Sequence, residues 1–382
     1  MRVLAISPAF YPQLGGVEQV ALELALRVRD QGVRMDIAHV AAGLEPLTET
    51  IQGLTVHRIP LHGNRFVGWA PALGALARNY ELLHVHDPQL LAITQNVRRS
   101  CAAIPAVLST HGGFWHTHRK YVFKRMYEMT LLESAVRHYR RVLASSVADF
   151  DYFRRIVDRT ELCTNGVDVK RFNQVRQLAP PDLNRWVFWG RLSDNKRVDL
   201  AIDYVAHARR LGFAVDLLVC GEDVDRRLAG LQAQVERLGL EHSVRFEPYL
   251  DDEALGAALC GRRLYITATE HEGFGLSVVE ALAAGLIVVA RDRAPLNGFF
   301  EDGVSGCTLA FDHSAGDLRK LATLLARPAA QVLAMGNAAR EAAREHDWDE
   351  VAPRFVRHYR EVLEEEAAGM SVRRPSKRRF AQ

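Results

Sequence analysis

No stretch of this chain approaches the ~18 consecutive apolar residues a membrane-spanning helix needs. The nearest, "VVEALAAGLIVVA", is broken by Glu280 and Gly285. The opening "MRVLAISPAF" lacks the apolar length and the small-residue cleavage site of a signal peptide. Cysteine is scarce and scattered: Cys101, Cys163, Cys220, Cys260 and Cys307 form no C-x-x-C and no zinc spacing. That excludes a disulfide framework and a cysteine-ligated metal centre, and it fits reduced thiols in a cytosolic compartment. The net charge is only +3 over 382 residues, so no global excess of positive charge argues for nucleic acid as a partner. The G-x-G-x-x-G of a conventional dinucleotide site is missing, which disfavours a nicotinamide oxidoreductase. No convincing D-x-D metal motif occurs; "HDP" at 86–88 comes nearest and lacks the second carboxylate. The expectation is therefore an enzyme or binding protein with no metal and no cofactor.

What is present is the make-up of a soluble globular protein, 48% apolar and 25% charged, long enough for two or three domains. Short apolar runs alternate with amphipathic stretches. Val3–Ile6 reads as a strand, and Val17, Val20, Ala21, Leu24 and Val28 form a helical stripe closed by Gly32. The runs "VRMDIAHV", "LTVHRI", "LLHVHD", "AVLSTHG" and "RVLASS" follow. The pattern restarts near Arg185 with "RWVFWGRL", "AVDLLVCGE", "SVRFEPYL", "RLYITATE" and "LIVVARD". Such β–α alternation predicts two α/β units, each a parallel sheet covered on both faces. The domains are expected at 1–178 and 179–345, with a final helix at 346–367 crossing back to the first unit and a basic tail at 368–382.

Three loops carry residues suited to chemistry. Gly15 and Gly16 lie between a strand and a helix, where backbone can approach an anion closely. Arg191 and Lys196 stand five apart after the first strand of the second half, a pair able to grip a diphosphate. Alone, both are equally readable as solvated cations. In "EHEGFGLSVVEALAAG", Gly273 and Gly275 bare the N–H groups of a helix start, a cradle for phosphate. Glu272 lies in the bend before that helix and Glu280 about two turns into it. Carboxylates repel phosphate, so these two suit sugar hydroxyls on either side of it. A nucleotide sugar has that layout.

At this point the sequence resembles the retaining glycosyltransferases of family 4, which have the GT-B fold of two Rossmann-like domains facing across a cleft. The E-x7-E of Glu272 and Glu280 agrees, and six further pieces fall in the family's order: "GGVE" (15–18), "HVHDP" (84–88), "STHGG" (109–113), "NGVD" (165–168), "GRL…NK" (190–196) and "CGE" (220–222). The resemblance implies that Arg191 and Lys196 bind the donor diphosphate and Glu280 the ribose. It implies that Glu272, with the backbone of Gly273, Phe274, Gly275 and Leu276, holds the transferred sugar and phosphates. Gly15, Gly16 and Glu222 would border the donor, Tyr249 its base, and His111 would face the reacting centre. Two departures stand out: Arg197 follows the lysine where glycine is common, and Pro248 precedes Tyr249 where glycine is common. Within the family the closest likeness is to exopolysaccharide α-mannosyltransferases that act on polyprenyl-diphosphate glycans. A GDP-mannose donor, a lipid-linked glycan acceptor and a metal-independent reaction follow as expectations. A UDP-sugar transferase of the same family is the alternative; a nucleotide-sugar epimerase or phosphorylase of the same fold is a more distant one.

One stretch points to a membrane. Val122, Met126, Met129, Leu132 and Val136 form a helical stripe within 116–141, beside Arg119, Lys120, Lys124, Arg125, Arg137, Arg140 and Arg141. A basic amphipathic helix can lie on an anionic bilayer, and the same pattern also suits a helix packed on the sheet. Phe114 and Trp115 would offer an apolar platform to a lipid-linked acceptor. The protein is thus expected in the cytoplasm, peripheral on the inner face of the plasma membrane.

Overall fold

The computed structural model describes residues 1–11, 15–64, 67–86, 91–112, 132–175 and 183–369. The first half supplies β1 (Arg2–Ser7), β2 (Arg34–Ala41), β3 (Leu47–Ile51), β4 (Leu54–Pro60), the small ribbon of β5 (His62–Gly63) and β6 (Gly68–Trp69), then β7 (Leu82–His86), β8 (Ala106–Ser109), β9 (Arg141–Ala144) and β10 (Thr160–Leu162). Apart from β5 and β6 these strands form one eight-stranded sheet, ordered β10-β9-β8-β7-β1-β2-β4-β3. All pairs are parallel except β3 with β4. The strand β1 shows why. Leu4 and Ile6 enter one core layer while Val3 and Ala5 enter the other, so both faces must be covered.

The second half gives β11 (Arg185–Trp189), β12 (Asp216–Cys220), β13 (Val244–Glu247), β14 (Leu264–Thr267), β15 (Ile287–Arg291) and β16 (Gly306–Leu309), in the order β13-β12-β11-β14-β15-β16. All five neighbouring pairs are parallel. In each sheet the chain starts in the middle, winds outward one way, then returns and winds the other. The reversals fall between β1 and β7 in the first sheet and between β11 and β14 in the second. Loops diverge at the carboxyl ends of such strand pairs and leave a crevice. The candidate loops are these: the one before the helix Gly16–Arg27 follows β1, Gly190–Arg197 follows β11, and Ala268–Gly275 follows β14.

The C-terminal helix Trp348–Ala367 packs on the first sheet. Trp348, Val351, Ala352, Phe355, Val356, Tyr359 and Val362 share a core with Val3, Ala5, Leu24 and Val107. Each large side chain so buried contributes about 1.5–3 kcal/mol. Its polar side is fastened by Arg141, which bonds His358 at 2.9 Å, Glu365 at 2.7 Å and also Glu361.

That arrangement corrects part of the expected basic helix. The described helix ends at Val136, and Arg141 opens β9 instead of extending a cationic face. Arg140 is paired with Glu366. Leu132 and Val136, two members of the supposed membrane stripe, are wholly buried in the first domain's core. The remaining stripe residues, with Phe114, Trp115, Lys120, Lys124 and Arg125, lie outside the described residues, as do the residues of the tail from 370 on.

Candidate active site

The helix Leu276–Ala283 is buried along nearly its whole length, from Val278 to Ala283, and Gly285 closes it in the left-handed conformation. Its start is set by Gly275, whose φ of 106° a side chain rarely adopts. Val278 N–H bonds the Gly275 carbonyl at 2.9 Å, while the N–H groups of Leu276 and Ser277 have no backbone acceptor among the described residues and are available to an anion. Phe274 points the other way, edge-on to Phe299 and His346, and offers the site only backbone. Glu280 lies five residues along the helix. It is buried, and burial raises its pKa above the ordinary carboxylate value; the indole N–H of Trp189 donates to its Oε2 at 2.9 Å and opposes that shift. Its surroundings form a narrow crevice between the domains, lined by Gln19, Glu23, Asp168, Arg171 and Leu276.

Lys196 and Glu272 meet: Nζ donates to Oε2 at 2.5 Å, with side-chain exposures of 13% and 21%. The residues predicted to hold diphosphate and sugar thus neutralise each other. Arg191, at the start of the same loop as Lys196, is exposed and has no ion pair among the described residues. Asn195 ties the two loops together. Its amide donates to the His271 carbonyl at 2.7 Å, its Oδ1 accepts from His271 N–H at 2.9 Å, and its own carbonyl accepts from Glu270 N–H at 3.0 Å. Asn195 lies inside the Gly190–Lys196 motif with nothing in the sequence to mark its role, and nothing marks Trp189; spacing gives no sign of a partner 76 or 91 positions away. Glu222 is exposed after β12, and its carbonyl receives Leu192 N–H at 2.8 Å. Tyr249 is 69% exposed after β13.

The first domain closes on these loops through glycines. Gly15 caps the helix Gly16–Arg27, and its N–H donates to Glu18 Oε2 at 2.9 Å. A Cβ on Gly16 would stand 3.5 Å from the Leu276 methyl of the other domain. Gly112 and Gly273 touch backbone to backbone. A Cβ on Gly273 would lie 2.7 Å from the carbonyl carbon of His111 and closer still to its oxygen. The loop that presents His111 is clamped from behind. Asp149 Oδ2 accepts from Thr110 Oγ1 at 2.5 Å and from Gly112 N–H at 2.9 Å. The ring of His111 stacks on His86, with Nε2 3.0 Å from His86 Nδ1. Burial pushes the His111 pKa down to about 4, so the imidazole is neutral at pH 7.

Two Rossmann-like domains meet here at their switch points. One offers cations, a helix start and two carboxylates; the other offers a glycine–histidine loop in contact with them. That combination defines a glycosyltransferase of the GT-B type. Comparison with known proteins makes the class specific. Residues 14–171 match the family described as Glycosyltransferase Family 4, and residues 169–342 match Glycosyl transferases group 1. The chain belongs to glycosyltransferase family 4. It is 28% identical to the GDP-mannose:cellobiosyl-diphosphopolyprenol alpha-mannosyltransferase of Komagataeibacter xylinus, over 95% of this chain and 94% of that protein. It is 26% identical to the phosphatidyl-myo-inositol mannosyltransferase of Mycolicibacterium smegmatis, over 97% and 96% of the two chains. Sucrose-phosphate synthase from Thermosynechococcus elongatus has the same fold, with a TM-score of 0.76 at 18% identity over 95% of this chain and 99% of that one. So does Anabaena HepE in complex with UDP and glucose, with a TM-score of 0.72 at 17% identity over 94% and 100%.

Proposed function

We propose that this chain transfers mannose from GDP-mannose to a glycan carried on polyprenyl diphosphate, with retention of anomeric configuration and without a metal ion. One observation carries the proposal: a cationic helix start flanked by two carboxylates, with the His111–Gly112 backbone of the facing domain resting on it. The choice of mannose and of a polyprenyl acceptor follows the relatives that align over 95% of the chain.

In this reading Glu280, oriented by Trp189, binds the ribose hydroxyls. Donor binding separates Lys196 from Glu272; Lys196 and Arg191 turn to the diphosphate and Glu272 to hydroxyls of the mannose. The bond that breaks joins the anomeric carbon to the diphosphate oxygen. Negative charge grows on that oxygen, and the two cations and the N–H groups of Phe274, Gly275 and Leu276 are already aimed at it. Positive charge from the protein thus takes the part a divalent ion would play. The acceptor hydroxyl attacks from the face the leaving group departs, and its proton passes to the leaving oxygen. Gly15 and Gly16 let the first domain's backbone approach the donor, Glu222 borders it, and Tyr249 lies along the base. A lipid-linked acceptor places the enzyme on the inner face of the plasma membrane as a peripheral protein, held by the cations Arg119, Lys120, Lys124 and Arg125 and by the basic tail. No helix among the described residues is long and apolar enough to cross the membrane.

The test is transfer to cellobiosyl-diphosphopolyprenol from GDP-mannose or UDP-glucose, each with and without EDTA. Transfer from GDP-mannose that survives EDTA, giving a product cleaved by α-mannosidase, is expected. Transfer from UDP-glucose alone, a product resistant to α-mannosidase, or activity restored only by Mg²⁺ would overturn the corresponding part of the proposal. Sedimentation with anionic vesicles at low and high salt tests the membrane contact, which should weaken with salt.

A further inference from the structure

His86 ends β7 two residues after His84, so both rings lie on the same side of the strand. Their environments differ. His84 is satisfied at both nitrogens, by Ser109 Oγ at 2.7 Å and by Tyr359 Oη at 2.7 Å. Its ring backs onto that of His86 with centroids 4.1 Å apart. His86 is 0% exposed; its Nδ1 meets His111 Nε2 at 3.0 Å, while its Nε2 is buried with no partner among the described residues. The hydrogen-bond network assigns its tautomer. A proton on Nε2 would be a buried N–H with no acceptor, a costly vacancy, whereas an unshared lone pair is the better tolerated one. The proton therefore sits on Nδ1, and His86 donates to His111. His111 then accepts at Nε2 and carries its own proton on Nδ1, a nitrogen with no partner among the described residues.

We propose that His86 is a positioning residue: it fixes the ring of His111 and its tautomer, so that His111 meets a ligand with Nδ1–H as a neutral hydrogen-bond donor and not as a base. Burial of both rings agrees, since it holds each in the neutral form. The consequence for the reaction is that the acceptor's proton does not pass to His111; a sugar or phosphate oxygen receives a hydrogen bond from it. This rests on the reading that His111 faces the reacting centre.

Long-range ¹H–¹⁵N correlation on protein labelled at histidine decides the tautomer directly. His111 should show a protonated Nδ1 and a bare Nε2; a proton on Nε2 overturns the proposal, even if every variant misfolds. Kinetics decide its consequence. His86→Phe removes the donor and should lower kcat roughly ten- to a hundred-fold, the range expected for a ring misplaced by up to ~1 Å, with donor KM within about two-fold. In His86→Asn the amide nitrogen can occupy the place of Nδ1, so most of the loss should be recovered. A His86→Phe variant with unchanged kcat, or a folded Asn variant no better than Phe, overturns it. His111→Ala separates this proposal from the reading beneath it. Full activity in that variant rejects the placement of His111, while an inactive His111→Ala beside a fully active His86→Phe rejects only the role of His86.

Discussion

Replacing Gly273 by alanine tests whether the contact between the two domains belongs to the working enzyme. A Cβ there would stand 2.7 Å from the His111 carbonyl carbon and 2.9 Å from Gly112 Cα, and nearer still to the His111 oxygen. These are backbone atoms and cannot rotate away as the end of a side chain would. Ordinary contact begins near 3.4 Å, so the loops must part by about 1 Å. Gly273 is not among the glycines with positive φ, so alanine adds no backbone strain of its own; Gly112, at φ 81°, would confuse the two effects. A displacement of about 1 Å at a reacting centre costs roughly a hundred-fold in rate. The expected result for Gly273→Ala is therefore a kcat lower by about two orders of magnitude, with the fold intact and GDP affinity, measured by calorimetry, changed little. Gly256 is the control. It lies within the helix Asp252–Leu259, a Cβ there would meet nothing within 4 Å, and Gly256→Ala should raise stability by about 0.5–1 kcal/mol and leave kcat alone. If Gly273→Ala turns over at the wild-type rate, the contact between His111 and Gly273 is not part of the reacting geometry.

Lys196→Ala should lower kcat/KM about ten- to a hundred-fold, and more than Arg191→Ala, because it removes a cation and also bares Glu272 beside the diphosphate. Adding Glu272→Gln to Lys196→Ala should then restore part of the GDP affinity; equal effects of Arg191→Ala and Lys196→Ala, with no recovery, would refute the pairing argument. Glu280→Gln should weaken GDP binding itself, whereas Glu272→Gln should spare GDP binding and lower kcat; calorimetry beside steady-state kinetics tells the two apart, and identical profiles would refute the assigned division. Burial depresses the pKa of His84 to about 3 and of His111 to about 4, with His86 also well below its ordinary value of 6.5. Below pH 6.5 the unfolded chain binds protons the native state refuses, so stability should fall as pH drops from 6.5 toward 4, by up to about 1.4 kcal/mol per pH unit for each ring. Calorimetric melting from pH 7 to 4.5 checks this, and a Tm that stays flat or rises on acidification would contradict it.

The two sheets were legible because fully buried parallel strands read as near-continuous apolar runs, as in "VLAI" at β1 and "LIVVA" at β15. β3 escaped because "LTETI" is exposed and polar, and β16 because "GCTL" is four residues long with little apolar signal. The expected helix ran on to Arg141 because Arg137, Arg140 and Arg141 look like a solvated face. What buries Arg141 is a set of partners at 358–365, more than 200 positions away, and no local pattern announces them. The candidate site divides in the same way. Its loops were found because glycines and charges mark them. The pairings that orient its side chains, Lys196 with Glu272, Trp189 with Glu280 and His86 with His111, are long-range contacts that only the folded chain reveals.

Arg197 shows how one local rule is broken at the site and what offsets it. The residue after the lysine has φ 48° and ψ 46°, a left-handed conformation that explains why glycine is common there. Holding an arginine in it costs about 1–2 kcal/mol. The guanidinium is engaged on two sides, by Asp199 Oδ2 at 2.9 Å and by Glu270 Oε1 at 2.7 Å. Each pair is a third exposed and contributes only about 0–1 kcal/mol, so together they roughly offset the strain without exceeding it. The balance suggests that the gain is local geometry and not stability. Glu270 heads the loop that carries His271, Glu272 and Gly273, and Asn195 already straps that loop to residues 193–197. Arg197 adds a second strap on the far side of Lys196. It also pairs with a carboxylate two positions before Glu272. With glycine at 197 the turn would relax, but the strap from residue 197 to Glu270 would be lost.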